Sequence, residues 1–421
     1  MKTIEKKNLL PFILVTSLFL LWGLANNMTD TLLSAFKKIM DMSDTQTSLI
    51  QFAFYGAYFV IALPAALFIR KHSYKSGVIL GLCLYAGGAI LFLPAAKAAS
   101  YAFYLVAIYI MASGCSVLET TANPYIMSMG SPETATRRLN IAQAFNPIGS
   151  ILGILMSKVF ILQDISLYSV SGTYAALGVV LVFIMVAMLF AHMPEGRDSE
   201  SCTDAGELRS VQTGVAATFR RLLANKLYRR GVVAQFFYVG AQIGVWSFTI
   251  RIVMQELGVV EAEAATVYLF TIVGFCASRF IYTWLMKFFR PVKLLVFGGA
   301  MSALCSLAVV LGAGLGWVMV VALMLISVFM SLMFPTIYGI ALGSLTAKSC
   351  TDAGELRTVQ NDVKIGASGL IMAILGGALL TPLQAVVSDA SNIYLSYLVP
   401  MGCFLVVLGY ALYALKAERR A

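Results

Sequence analysis

Charge is scarce in this chain of 421 residues: Asp, Glu, Lys and Arg together make up 12% of it, against about 25% in soluble domains. That deficit excludes an ordinary water-soluble globule. Histidine is scarcer still, with only His72 and His192, so a histidine-built metal centre or a histidine general base has almost no material. The seven cysteines form no CxxC pair, which leaves neither a thiol redox motif nor a zinc site. There is no HExxH, no P-loop and no GxSxG placed on a strand-turn-helix. A hydrolase, a nucleotide-driven motor and a metalloenzyme are thereby set aside, and no cofactor or metal is expected.

Apolar residues are abundant, at 60% of the chain, and they come in repeated blocks of membrane-spanning length. The first block, Leu9 to Ala25, runs past the length of a signal h-region and lacks a small-residue cleavage site, so it reads as a spanning helix. Cutting at the ends of the blocks predicts twelve spans: 9–33, 47–69, 76–96, 101–128, 139–162, 171–193, 231–255, 262–286, 292–314, 316–345, 365–387 and 392–415. The expected fold is an all-α membrane protein of twelve transmembrane helices in two six-helix bundles.

The net charge of +10 could suggest a nucleic-acid partner. Its distribution argues otherwise. Most of the 30 Lys and Arg fall in the N-terminus, the even-numbered connections and the C-terminus, while the opposite side holds only Lys37, Lys38 and Lys97. By the positive-inside rule both termini are expected in the cytoplasm. The lipid bilayer, not nucleic acid, is the expected macromolecular environment, the inner membrane of a bacterium the expected location, and a monomer the expected assembly.

The longest break between spans divides the helices six and six, which predicts an N-terminal bundle over 1–193, a linker over 194–230 and a C-terminal bundle over 231–421. That plan suits a transporter with its substrate site near the midplane between two halves. One repeat does not follow the halves: "SCTDAGELRSVQ" at 201–212 recurs at 349–360 with Thr358 in place of Ser210 as its only difference. The copies lie in the sixth and tenth connections, and both are expected to be solvated cytoplasmic loop.

Two carboxylates sit inside spans. Asp30 follows Asn26 and Asn27 about twenty residues into the first span, in its outer part at 1.5 Å per residue; Glu119 lies on the inner half of the fourth. Each costs about 2.5–3.5 kcal/mol at mid-bilayer, so such groups face a cavity and mark ion or proton paths. No Lys or Arg shares the span of Glu119, and Asn123 and Pro124 follow one turn later, where a helix break is expected to expose backbone to a cavity. Gln143 and Asn146 sit three apart in the fifth span; Gln235 and Gln242 lie on one face of the seventh among Tyr238 and Trp246. Amides offer donors and acceptors and aromatic faces stack on sugar C–H surfaces, so the set suits a neutral polyol. Lys158, Arg251 and Arg279 fall toward span ends, where snorkelling or a gate ion pair is expected, and an anionic substrate is disfavoured on that ground. Gly376 and Gly377 are expected to let helices approach and slide.

The stretches "FLLWGLANNMTDTLL", "QFAFYGAYFVIALPAALFIRKHSYKSG", "LETTANPY", "RLNIAQAFN", "AQFFYVGAQIGVWSFTIR", "FPTIY" and "GGALLTP" together resemble the fucose–proton symporters of the major facilitator superfamily, which also include glucose and galactose carriers. The resemblance implies alternating access in a twelve-helix rocker. It places the family's proton-coupling acid on Asp30, its acid for sugar recognition with protonation on Glu119, and its polar amides on Asn27, Gln143 and Asn146. With Gln242, Tyr238 and Trp246 these make the candidate substrate site. Pro147 and Met333 depart from the pattern, as does the repeated insert in the tenth connection, so the particular sugar is left open. A sodium-coupled sugar carrier and a non-transporting sugar sensor are the alternatives.

Overall fold

The computed structural model describes residues 8–40, 44–161, 166–191, 193, 214–346 and 353–419, and among them there is no strand. The first six spans are α1 (Leu9–Ile39), α2 (Asp44–Lys71), α3 (Tyr74–Ile90) continued by α4 (Phe92–Lys97), α5 (Tyr101–Ser128), α6 (Ala135–Gln143) with α7 (Asn146–Met156), and α8 (Leu167–Phe190). A short helix α9 (Val215–Ala224) precedes the second six: α10 (Lys226–Leu257), α11 (Glu261–Leu285), α12 (Pro291–Leu311), α13 (Trp317–Met330) with α14 (Met333–Gly343), α15 (Ala353–Met372) with α16 (Gly376–Ala390), and α17 (Leu398–Glu418). Among the described residues eleven helical runs are long and apolar enough to cross a membrane, and α1 adds the apolar stretch Leu9–Ala25. Phe183 is 72% and Phe190 86% exposed, a degree of outward-facing apolar surface that only lipid tolerates.

Helix starts follow local chemistry. Ser73, Ser100 and Ser166 accept hydrogen bonds from the backbone N–H groups of Ser76, Phe103 and Ser169, capping α3, α5 and α8. Asn225 does the same for α10 through Leu227 and Tyr228.

Within the first bundle α1 packs on α7, α3 on α5 and α8, and α2 on α5; within the second α10 packs on α16 and α17, and α12 on α13 and α17. The first-with-fifth and seventh-with-eleventh pairings correspond, and glycine makes both. A Cβ on Gly149 would collide with the carbonyl oxygen of Leu20, one on Gly23 with that of Asn146, and one on Gly376 with that of Phe236. The expectation of close approach at Gly376 thus holds.

Two expectations are corrected. The fourth span does not break at Asn123–Pro124: α5 runs on through Pro124 to Ser128, since a proline removes one donor and membrane helices absorb that loss through neighbouring groups. The breaks lie elsewhere, at Ala144–Phe145 between α6 and α7 and at Ser331–Leu332 between α13 and α14. The second copy of the repeat is not all loop, because from Ala353 onward it forms the first turns of α15. Residues 349–352 and the whole first copy, 201–212, lie outside the described residues.

Candidate functional site

Between the bundles lies a cavity of about 130 Å³, close to the ~150 Å³ that encloses one benzene ring. Its scale is a single six-membered ring. The first bundle lines it with Phe19, Trp22 and Asn27 of α1, Gln51, Phe54, Tyr55 and Tyr58 of α2, Glu119 of α5, Gln143 of α6, and Asn146 and Ser150 of α7. The second contributes Val239, Gln242, Ile243 and Trp246 of α10, Arg279 of α11, Phe334 of α14 and Ile374.

The break in the fifth span arms the site. It puts Gln143 on the last turn of α6 and Asn146 on the first turn of α7. Gln143 Nε2 donates to Asn123 Oδ1 at 2.9 Å, and Asn123 stands one turn beyond Glu119 on α5. Asn146 Nδ2 donates to the Phe19 carbonyl at 3.2 Å, and Asn27 Nδ2 to the Gly23 carbonyl at 3.2 Å. Trp22 Nε1 donates to the Tyr58 hydroxyl at 2.9 Å, and Trp246 Nε1 to Ser327 Oγ at 3.2 Å. Both indoles are therefore held by their polar edges while lining the cavity.

Glu119 is half-buried. Among the described residues no hydrogen bond or ion pair engages its carboxylate, and Tyr58 and Tyr338 lie within its electrostatic reach. A carboxyl group so placed is free to exchange a proton and to accept hydrogen bonds from a ligand.

Arg279 is the residue that the sequence misplaced. It does not snorkel: it is 3% exposed and lines the cavity. Its Nε donates to the Ser331 carbonyl at 2.7 Å and its Nη1 to the Gln143 carbonyl at 2.9 Å. Those two acceptors lie at the breaks of the tenth and fifth spans, where backbone oxygens need partners inside the protein. One guanidinium thus binds both broken helices, across the boundary between the bundles. The argument against an anionic substrate from the lack of a base at the site accordingly fails, although two of the donors are already committed.

Of the other expected site residues, Asn27, Glu119, Gln143, Asn146, Gln242 and Trp246 are brought together in the cavity lining. Tyr238 is not among them; it is fully buried, with its ring centroid 6.3 Å from that of Phe334. Gln235 is likewise buried away from the lining. Asp30 lies in α1, but its side chain is outside the described residues. Gln51, Tyr55 and Tyr58 were missed, although their spacing of four and three on the second span is a legible polar stripe.

The bundles meet below the cavity, at the end bearing the α5–α6 and α14–α15 connections. There α6 packs on α14, and α15 on α2 and α5. Asn140 Nδ2 donates to Thr336 Oγ1 at 3.3 Å, Thr136 fills the place of a side chain at Gly339, and Phe145 meets Phe280 edge-on at 6.0 Å. The Lys364 ammonium lies 5.1 Å from the Tyr74 ring centroid.

The Major Facilitator Superfamily model matches residues 14–349. The L-fucose-proton symporter of Haemophilus influenzae is 39% identical over 448 aligned positions, covering 99% of this chain and 99% of its own. The glucose/galactose transporter of Brucella abortus is 32% identical, covering 96% of this chain and 93% of its own. A crystal structure of a Major Facilitator Superfamily transporter, FucP, in the outward conformation matches with a TM-score of 0.84 at 33% identity, over 97% of this chain and 99% of that one.

Proposed function

The chain belongs to the major facilitator superfamily, and from that premise we propose that it is a proton-coupled symporter carrying a neutral monosaccharide, of the L-fucose or the glucose and galactose type, into the cytoplasm of a bacterium across its inner membrane. Transport by alternating access, not catalysis, is its activity. The observation that carries this reading is the cavity of about 130 Å³, on the scale of one ring and lined by amides, indoles and a carboxylate with no partner among the described residues. Amides and the carboxylate suit sugar hydroxyls, and the indoles suit the ring's C–H face.

In this reading residues 1–193 and 231–421 are the two rocking halves, joined by 194–230, with both termini in the cytoplasm and the chain acting as a monomer. Asp30 and Glu119 are the proton-exchanging acids. Glu119, Asn27, Gln143, Asn146, Gln242 and Trp246 contact the sugar, and Tyr238 supports the site from behind Phe334. The outward likeness of the matched FucP structure agrees with a floor closed on the basic, cytoplasmic side.

The test is a panel of neutral sugars offered to the protein reconstituted in sealed vesicles, with proton movement and sugar uptake recorded together. One or more hexoses or deoxyhexoses should enter with protons, and collapse of the proton gradient at fixed Na⁺ should abolish accumulation. Accumulation that survives the collapse and follows Na⁺ would make the carrier sodium-coupled. Sugar binding without uptake would make the protein a sensor.

A further inference from the structure

Helix α9 has no part in the cavity, yet its composition is not that of a passive linker. Val215, Phe219 and Leu223 recur at every fourth position, one stripe on a helix, and all three are exposed, Leu223 by 60%. Thr218 and Leu222, on the adjoining face, are buried where α9 packs on α10 and α15. The orientation is fixed by Arg221, whose Nε and Nη2 donate to Asp362 Oδ2 and Oδ1 of α15 at 2.8 and 2.7 Å. A single residue, Asn225, separates α9 from the spanning helix α10. So short a connection keeps the C-terminal end of the stripe next to the first basic turns of the spanning helix α10. Beside it stand four exposed cations: Arg220 on α9, and Lys226, Arg229 and Arg230 on the first turns of α10. The Arg230 guanidinium stacks over the Tyr413 ring at 3.8 Å.

We propose that α9 is a membrane-surface anchor whose apolar stripe enters the acyl boundary and whose flanking cations bind anionic lipid headgroups, tying the leaflet through Arg221 and Asp362 to α15. An exposed apolar stripe edged by basic side chains is how a helix lies in the plane of an anionic membrane. The linked helix α15 is also the one that packs on α2 and α5 of the first bundle, so the grip on the leaflet reaches the closed floor of the cavity.

The experiment uses the full chain in phosphatidylcholine vesicles containing increasing phosphatidylglycerol, with acyl chains brominated or plain. Phe219→Trp adds one indole to the stripe, and the difference from the parent isolates its emission. Brominated chains should quench that emission, increasingly so as phosphatidylglycerol rises. In the background of Arg220→Gln and Lys226→Gln the phosphatidylglycerol content needed for half the rise should increase by roughly five-fold per charge removed, or the rise should vanish. Leu223→Trp serves the same purpose should the Phe219 variant fail to fold. Emission untouched by brominated chains, or quenched equally at every phosphatidylglycerol content in parent and charge variant, would overturn the proposal.

Discussion

Glu119 reaches the cavity from a helix that runs unbroken past it, so its position is rigid and its substitutions are informative. Charge-assisted hydrogen bonds to sugar hydroxyls are worth about 1.5–3 kcal/mol each, and Glu119→Ala should weaken equilibrium sugar binding by at least roughly ten-fold. Glu119→Gln keeps the shape without the titration. Its sugar binding, followed from about pH 5 to 9, should persist and lose the pH dependence of the parent; an unchanged profile would take Glu119 out of the site. Arg279→Lys asks whether the fork matters as well as the charge, since one ammonium cannot serve both the Ser331 and Gln143 carbonyls as the guanidinium does. Uptake at equal membrane expression should fall by at least roughly ten-fold, and parent-like uptake would show that this tie has no part in the cycle. At this scale the sequence was legible wherever polarity inside an apolar run was conspicuous. Glu119, Gln143, Asn146 and Gln242 stand out because each is costly in lipid. Arg279 did not, because its distance from the helix end is that of a snorkelling base, and only the partners on α6 and at Ser331 distinguish the two. Tyr238 stands behind the lining, not in it, because an aromatic on a polar face can as well point at a neighbouring helix, here toward Phe334 of α14.

Among the elements, α1 and α7 are joined without an intervening side chain. Gly149→Ala should force them apart, with an overpacking cost of about 1–3 kcal/mol, and the same should follow in the second bundle for Gly376→Ala, which pushes α16 off Phe236 of α10. Thermal melting of the purified protein would register both as a lowered midpoint; a midpoint equal to the parent's would mean the helices can yield. The twelve spans were legible because each needs its own length of apolar residues, and most ends agree to within about a turn; the exceptions are polar extensions, with α1 running on to Ile39, α10 starting at Lys226 and α15 at Ala353. The breaks were not. Pro124 carries the strongest local signal for one and α5 continues through it, whereas Ala144–Phe145 and Ser331–Leu332 break with no proline at the break itself. A break in lipid persists where another helix answers the freed carbonyls, and that partner is remote in sequence. The second repeat copy was misread similarly: its polar composition suggests loop, but leading into an apolar span it winds into the start of α15.

At the scale of the molecule, the two bundles touch where α6 meets α14 and α15 meets α2 and α5, and also through α7 with α11 and α2 with α16, and no expected role in the cavity falls on residues 201–212. Replacing that segment by a Gly/Ser linker of equal length should leave uptake within about two-fold, and a larger fall at unchanged expression would give the repeat a part in gating. The proposed division into bundles rests on the long polar interval between the sixth and seventh spans. Which end is closed was not, because closure resides in pairs such as Asn140 with Thr336, neither of which announces the other.

The size of the cavity has a consequence beyond the membrane. A space on the scale of one ring suits a monosaccharide better than a disaccharide or a polymer, so a longer saccharide would serve this carrier only after glycoside hydrolysis has released its units.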